Sequence, residues 1–134
     1  MKKILVAGAF DCLHLGHLDF LRQAKKYGDY LVAVVAKDKT VKKIKGRFPS
    51  KNEEERLKEL KRANIADEVK LGYSENPYKI IAEVRPDVIC FGYDQEIFIR
   101  ELPKELKKMR LKVKTYRMKP YHQEKYHSSI INKC

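Results

Sequence analysis

Asp11, His14 and His17 crowd into one short turn, with Gly16 set between the two histidines. If helix begins near Leu15, imidazoles three residues apart project toward the same side. A helix N-terminus presents unpaired N–H groups and the positive end of the dipole, so two imidazoles there frame a site for an anionic phosphate. The pair could instead ligate a metal, but no third ligand stands at a matching spacing, and no protein metal site is expected. The bland alternative is that a histidine caps the helix and the glycines merely turn the chain. Lys42, Lys43 and Lys45, in a basic stretch with Gly46 and Pro49, are candidates for a clamp on the same phosphates. A solvated lysine run is the competing reading for any one of them.

These residues need elements to position them. Ile4-Leu5-Val6-Ala7, breaking at Gly8, reads as a buried strand of a parallel sheet. A helix over about 16–27 carries Leu18, Leu21 and Ala24 on one face, with Gly28 placed for a left-handed cap. Residues 30–36 form a second apolar strand. Lys39 to Ser50 reads as a long polar loop, a type that is disproportionately functional. A capping box from Ser50 or Asn52 opens a helix reaching about Ala63, and Glu68–Leu71 is a short third strand. Asn76-Pro77 starts a helix that stops at Pro86; Asp87–Phe91 is a fourth strand. A basic helix over about 98–109, interrupted or started by Pro103, precedes a polar edge strand over 112–118. Strand and helix alternating in this way predict an α/β fold, a parallel five-stranded sheet covered by helices on both faces. Ligands in such sheets sit beyond the carboxyl ends of the strands.

The chain of 134 residues is expected to be one domain, 1–134, with 43% apolar residues and no apolar run long enough to cross a bilayer. No hydrophobic leader precedes the first strand, and Cys12, Cys90 and Cys134 are odd in number and lack CxxC spacing. A cytoplasmic location without a disulfide framework or zinc site follows as the expectation. The net charge of +12 is spread over helices without an aromatic-interleaved platform. Neither nucleic acid nor a membrane is therefore expected as partner, and the field suits a phosphate-rich small molecule.

Gly8-Ala9-Phe10-Asp11 followed by His14-Leu15-Gly16-His17 resembles the GxFDxxHxGH signature of the nucleotidyltransferase superfamily that holds the cytidylyltransferases. The resemblance implies a Rossmann-like, doubly wound sheet of order 3-2-1-4-5, and transfer of a nucleoside monophosphate from a triphosphate to a phosphorylated acceptor with release of pyrophosphate. It implies catalytic roles for His14, His17 and Lys45, and nucleotide binding by Ala9, Phe10, Asp11, His14, Gly16 and His17. Arg56 matches a helix-borne arginine that reaches the nucleotide, or makes an ordinary surface ion pair. Gly92 and Asp94 match a G-x-D motif at the base and ribose, where Asp94 would serve equally as a turn residue. His127-Ser128-Ser129 resembles a late hydroxyl motif that binds phosphate, or supplies a simple N-cap. Here Ile130-Ile131-Asn132 intervenes before Lys133, and the arginine that the family carries ahead of the hydroxyls has no clear counterpart.

Over nearly the whole chain the resemblance is nearest to archaeal FAD synthase, through Val35–Lys43, Lys45-Gly46-Arg47, Gly92–Gln95 and His127–Ser129. It implies ATP and FMN as substrates, a Mg2+ or other divalent cation brought with the triphosphate, and a homodimer as a candidate assembly. Tyr116, Tyr121 and Tyr126 could stack on an isoalloxazine or simply pack. CTP with glycerol-3-phosphate is the runner-up substrate pair. A non-catalytic nucleotide-binding domain and a nucleic-acid module are the alternatives of another class.

Overall fold

The computed structural model describes residues 1–76, 78–92 and 96–119. Five strands, β1 (Lys3–Gly8), β2 (Tyr30–Val35), β3 (Glu68–Leu71), β4 (Val88–Phe91) and β5 (Lys114–Arg117), alternate with helices. The helices are α1 (Leu15–Lys25), α2 (Asp38–Lys45), α3 (Glu53–Ala63), α4 (Lys79–Val84) and α5 (Glu96–Lys108). The strands pair in parallel in the order β3-β2-β1-β4-β5, the order that the resemblance implies.

Alternation along the strands splits the apolar residues between two faces. Ile4, Val6, Leu31, Ala33, Val88 and Cys90 pack against Leu21 and Ala24 of α1 and Leu57 and Leu60 of α3. Leu5, Val32, Val34, Ile89 and Phe91 pack against Ile80, Ile81 and Val84 of α4 and Leu102 and Leu106 of α5. Each fully buried aliphatic side chain contributes about 1.5–3 kcal/mol. Cys90 lies in the first of these cores, and burial pushes its thiol up to about 12, so it stays neutral.

The amino-terminal edge of the sheet is stitched by three aspartates. Asp29, Asp67 and Asp87 accept the N–H groups of Lys2, Leu31 and Lys3, each at 2.8 Å. Their own N–H groups donate to the carbonyls of Lys2, Leu31 and Lys3 at 2.7, 2.9 and 2.8 Å. Register is thereby held at the end of the sheet remote from the loops that could bind a ligand.

Several expectations are corrected. The stretch from Lys39 is not a loop, because Asp38–Lys45 is the helix α2. Its acidic first turn and basic last turn suit the dipole, and Thr40 and Val41 are buried, but eight residues are too few for a clear apolar period. Gly46 closes it in the left-handed region at φ 80°. Gly28 is not a left-handed cap. The helix α1 ends at Lys25, and Gly28 serves close packing, since a Cβ there would lie 2.7 Å from the Lys2 carbonyl oxygen. Asn52, not Ser50, caps α3, accepting the Glu55 N–H at 2.9 Å. Pro103 lies inside α5 without ending it, at the loss of one bond from the helical ladder. The helix α4 stops before Pro86 as expected, with Arg85 left-handed at φ 52°, while Pro77 lies outside the described residues.

Candidate active site

The chain winds outward from β1 in both directions, so the carboxyl ends of β1 and β4 flank the point where its direction reverses. The loop Ala9–His14 leaves β1 there, and Gly92 follows β4. His14 is the N-cap of α1, in extended backbone at φ −140°, and its Nδ1 accepts the Gly16 N–H at 3.0 Å. His17, at the third helical position, returns the bond: its Nδ1 accepts the His14 N–H at 3.3 Å. The two rings therefore close a capping box and stack with centroids 4.0 Å apart. Gly16 is required by this geometry, because a Cβ would come within 2.8 Å of His14 Cε1.

Capping and anion recognition, alternatives for the sequence, are here compatible. With each Nδ1 accepting a backbone hydrogen, a neutral ring carries its proton on Nε2. Burial first, then the His14 ring and the Lys45 ammonium, push His17 down to about 3, against a smaller upward pull from Asp11. Burial lowers His14 as well. Both rings are thus neutral near pH 7 and can each donate one Nε2–H. The loop holding them is strained, with Phe10 at φ 51° and Cys12 at φ 52°. Phe10 is buried, its ring 5.8 Å edge-on from His17 and 6.4 Å from Phe20.

The basic segment is tied to this loop. Asp11 accepts the Ser50 N–H at 2.7 Å through Oδ2 and the Lys51 N–H at 3.1 Å through Oδ1. Arg56, 0% exposed, does not reach into the crevice. Its Nη1 donates to the Ala9 carbonyl at 2.7 Å, its Nε to the Lys51 carbonyl at 2.9 Å and its Nη2 to Asp38 Oδ1 at 2.7 Å. Glu53 Oε1 accepts the Asp38 N–H at 2.8 Å. Lys45, in the last turn of α2, lies near enough to His17 to perturb it. Lys42 instead donates to the Gly46 carbonyl at 3.1 Å, with its ammonium 5.6 Å from the centre of the exposed Phe48 ring. The bonding roles of Asp38, Glu53, Ser50 and Lys51 escape sequence reasoning, since nothing local links residues so far apart. Asp94, His127, Ser128 and Ser129 lie outside the described residues, as do Tyr121 and Tyr126. The Tyr116 ring lies tilted against that of Tyr27, centroids 4.4 Å apart.

Among the described residues no group of three or more histidines, cysteines, aspartates or glutamates could hold a metal ion. The donors at the loop are engaged, both Nδ1 atoms and both Asp11 oxygens accepting backbone hydrogens. Among the described residues the loop thus offers no set of three donors for a protein-held metal. Among the described residues no helix is long and apolar enough to cross a membrane. A cavity of about 570 Å³ beside Lys2, Asp87, Lys112 and Lys114 lies at the amino-terminal end of the sheet, away from the histidines.

The model of the cytidylyltransferase-like family matches residues 5–133. A protein of Aciduliprofundum boonei named FAD synthase is 42% identical over 121 residues, 90% of this chain and 80% of that one. One of Thermoplasma volcanium with the same name is 37% identical over 133 residues, 99% of this chain and 93% of its own. The crystal structure of a T. volcanium protein titled a lipopolysaccharide core biosynthesis protein superposes with a TM-score of 0.84. It is 38% identical and covers 90% of this chain and 98% of that one.

Proposed function

This chain belongs to the cytidylyltransferase-like family, and on that premise we propose that it is an FAD synthase, joining the AMP moiety of ATP to FMN with release of pyrophosphate. It is a nucleotidyltransferase. Its similarity to proteins named FAD synthase supports ATP and FMN over CTP and glycerol-3-phosphate. The observation that carries the chemistry is the reciprocal cap, which engages each Nδ1 of His14 and His17 and leaves Nε2–H as the donor of both rings.

In this reading an FMN phosphate oxygen attacks the α-phosphorus of ATP. The bond from that phosphorus to the oxygen bridging the β-phosphorus breaks, and pyrophosphate leaves with the electron pair. The protein need only align the groups and stabilise the charge that spreads onto the phosphoryl oxygens. His14 and His17 donate to oxygens at and beyond the α-phosphate, and Lys45 adds positive charge beside them. Gly16 allows the cap, Ala9, Phe10 and Asp11 shape and hold the loop, and Gly92 lines the far side of the crevice. Reactions of this class generally use a divalent cation. Mg2+ is proposed to arrive on the triphosphate, and no step assigned to these residues runs through it. Residues 1–134 act as one domain in the cytoplasm, and size-exclusion chromatography tests whether two copies pair.

The test measures pyrophosphate release with ATP or CTP, each paired with FMN or glycerol-3-phosphate. Turnover with ATP and FMN is expected, falling on the order of 100-fold or more in His17→Ala. Turnover with CTP and glycerol-3-phosphate instead would overturn the substrate assignment, and full activity in His17→Ala would overturn the mechanism.

A further inference from the structure

Among the described residues Arg56 is the buried cation, and burying a guanidinium is costly unless its donors are satisfied. A well-packed apolar side chain would often be at least as stable there, so stability alone is a weak reason for it. Its geometry is a better one. Three nitrogens of one planar fork bond three separate segments, the histidine-bearing loop at Ala9, the start of α2 at Asp38 and the turn before α3 at Lys51. Asp11 closes the circuit by accepting Ser50 N–H and Lys51 N–H from the same turn. The basic segment 38–51 is thus fastened to the phosphate loop at both ends, with Lys45 carried between the fastenings. A lysine could not reproduce this, being a single point charge without the fork.

Resting on the nucleotidyl transfer read above, we propose that Arg56 is a positioning residue that acts through Lys45, holding segment 38–51 and the Lys45 it carries against the histidine-bearing loop, and is not itself a ligand of the nucleotide. A misplacement of about 1 Å in such a site costs on the order of 100-fold in rate.

The test is a double-mutant cycle on the full chain with Arg56→Lys and Lys45→Met, read as kcat for FAD formation and as ATP affinity. Asp38→Asn, which keeps an acceptor oxygen, serves as a second, milder release of the clamp. Expected are a kcat loss of roughly 10- to 100-fold in Arg56→Lys with little change in ATP affinity, and a double variant no slower than its slower parent. Additive losses, or a large loss of ATP affinity confined to Arg56→Lys, would overturn the proposal. Amide hydrogen exchange is followed in parallel and needs no substrate. In both clamp variants it should quicken at Ser50, Lys51 and the rest of 38–51 and stay unchanged in β1, β2 and β4. Unchanged exchange at Ser50 and Lys51, or exchange quickened throughout, would overturn the clamp. A wild-type chain that makes no FAD would sink the substrate reading alone, leaving exchange to decide the clamp.

Discussion

Gly16 shows how a single Cβ decides between two effects. By helix propensity, alanine at an interior position is favoured over glycine by about 1 kcal/mol. Here the added carbon would stand 2.8 Å from His14 Cε1 and 3.0 Å from its Nδ1, so the ring must leave its cap. Gly16→Ala is therefore expected to lower kcat on the order of 100-fold while circular dichroism shows the helices intact. A variant with wild-type kcat would sever the cap from catalysis. The histidines also set a pH dependence. His17 is held at about 3, below the ordinary value near 6.5. Between those two values the unfolded chain takes up a proton that the folded chain refuses, so stability falls as pH falls through that window, and above it this group adds no slope. Urea denaturation at pH 7.5 and pH 5 should show a smaller stability difference in His17→Gln than in the wild type. The motif made these residues visible in the sequence. That each Nδ1 serves the backbone was not legible, because it depends on ring orientation.

At the scale of elements, α2 is the one that sequence pattern mistakes for a loop. Its buried anchors are only Thr40 and Val41, and its lysines dominate the composition. What ends it is local and firm, the left-handed Gly46, where an added Cβ would meet nothing within 4 Å. Gly46→Ala is accordingly expected to cost about 1 kcal/mol from backbone strain alone. The thermal midpoint should drop by a few degrees, and Gly46→Asn should recover part of the loss. An unchanged midpoint would mean that the turn relaxes out of the left-handed region. The longer elements were legible because apolar residues at Leu21, Ala24, Leu57 and Leu60 recur at helical spacing and the strands at 4–7 and 30–35 are continuous apolar runs.

At the scale of the molecule, the surplus of 30 Lys and Arg over 18 Asp and Glu makes a field that favours an anionic substrate. Salt should screen it, since the Debye length shortens from about 10 Å at 0.1 M to about 3 Å at 1 M. KM for ATP is expected to rise with sodium chloride while kcat changes less. A KM indifferent to salt would show that only contacts inside the crevice matter. The sequence by itself determined the alternation of strands and helices, the parallel sheet and the placing of both histidines at the start of a helix, because periodicity, caps and short spacings are properties of neighbouring residues. The tertiary structure alone decided that Arg56 is buried and that Asp11 holds Ser50 and Lys51. Those bonds join residues about forty positions apart, and a carboxylate or guanidinium takes its partner from whatever the packed sheet and helices bring within 3 Å, which no local pattern encodes.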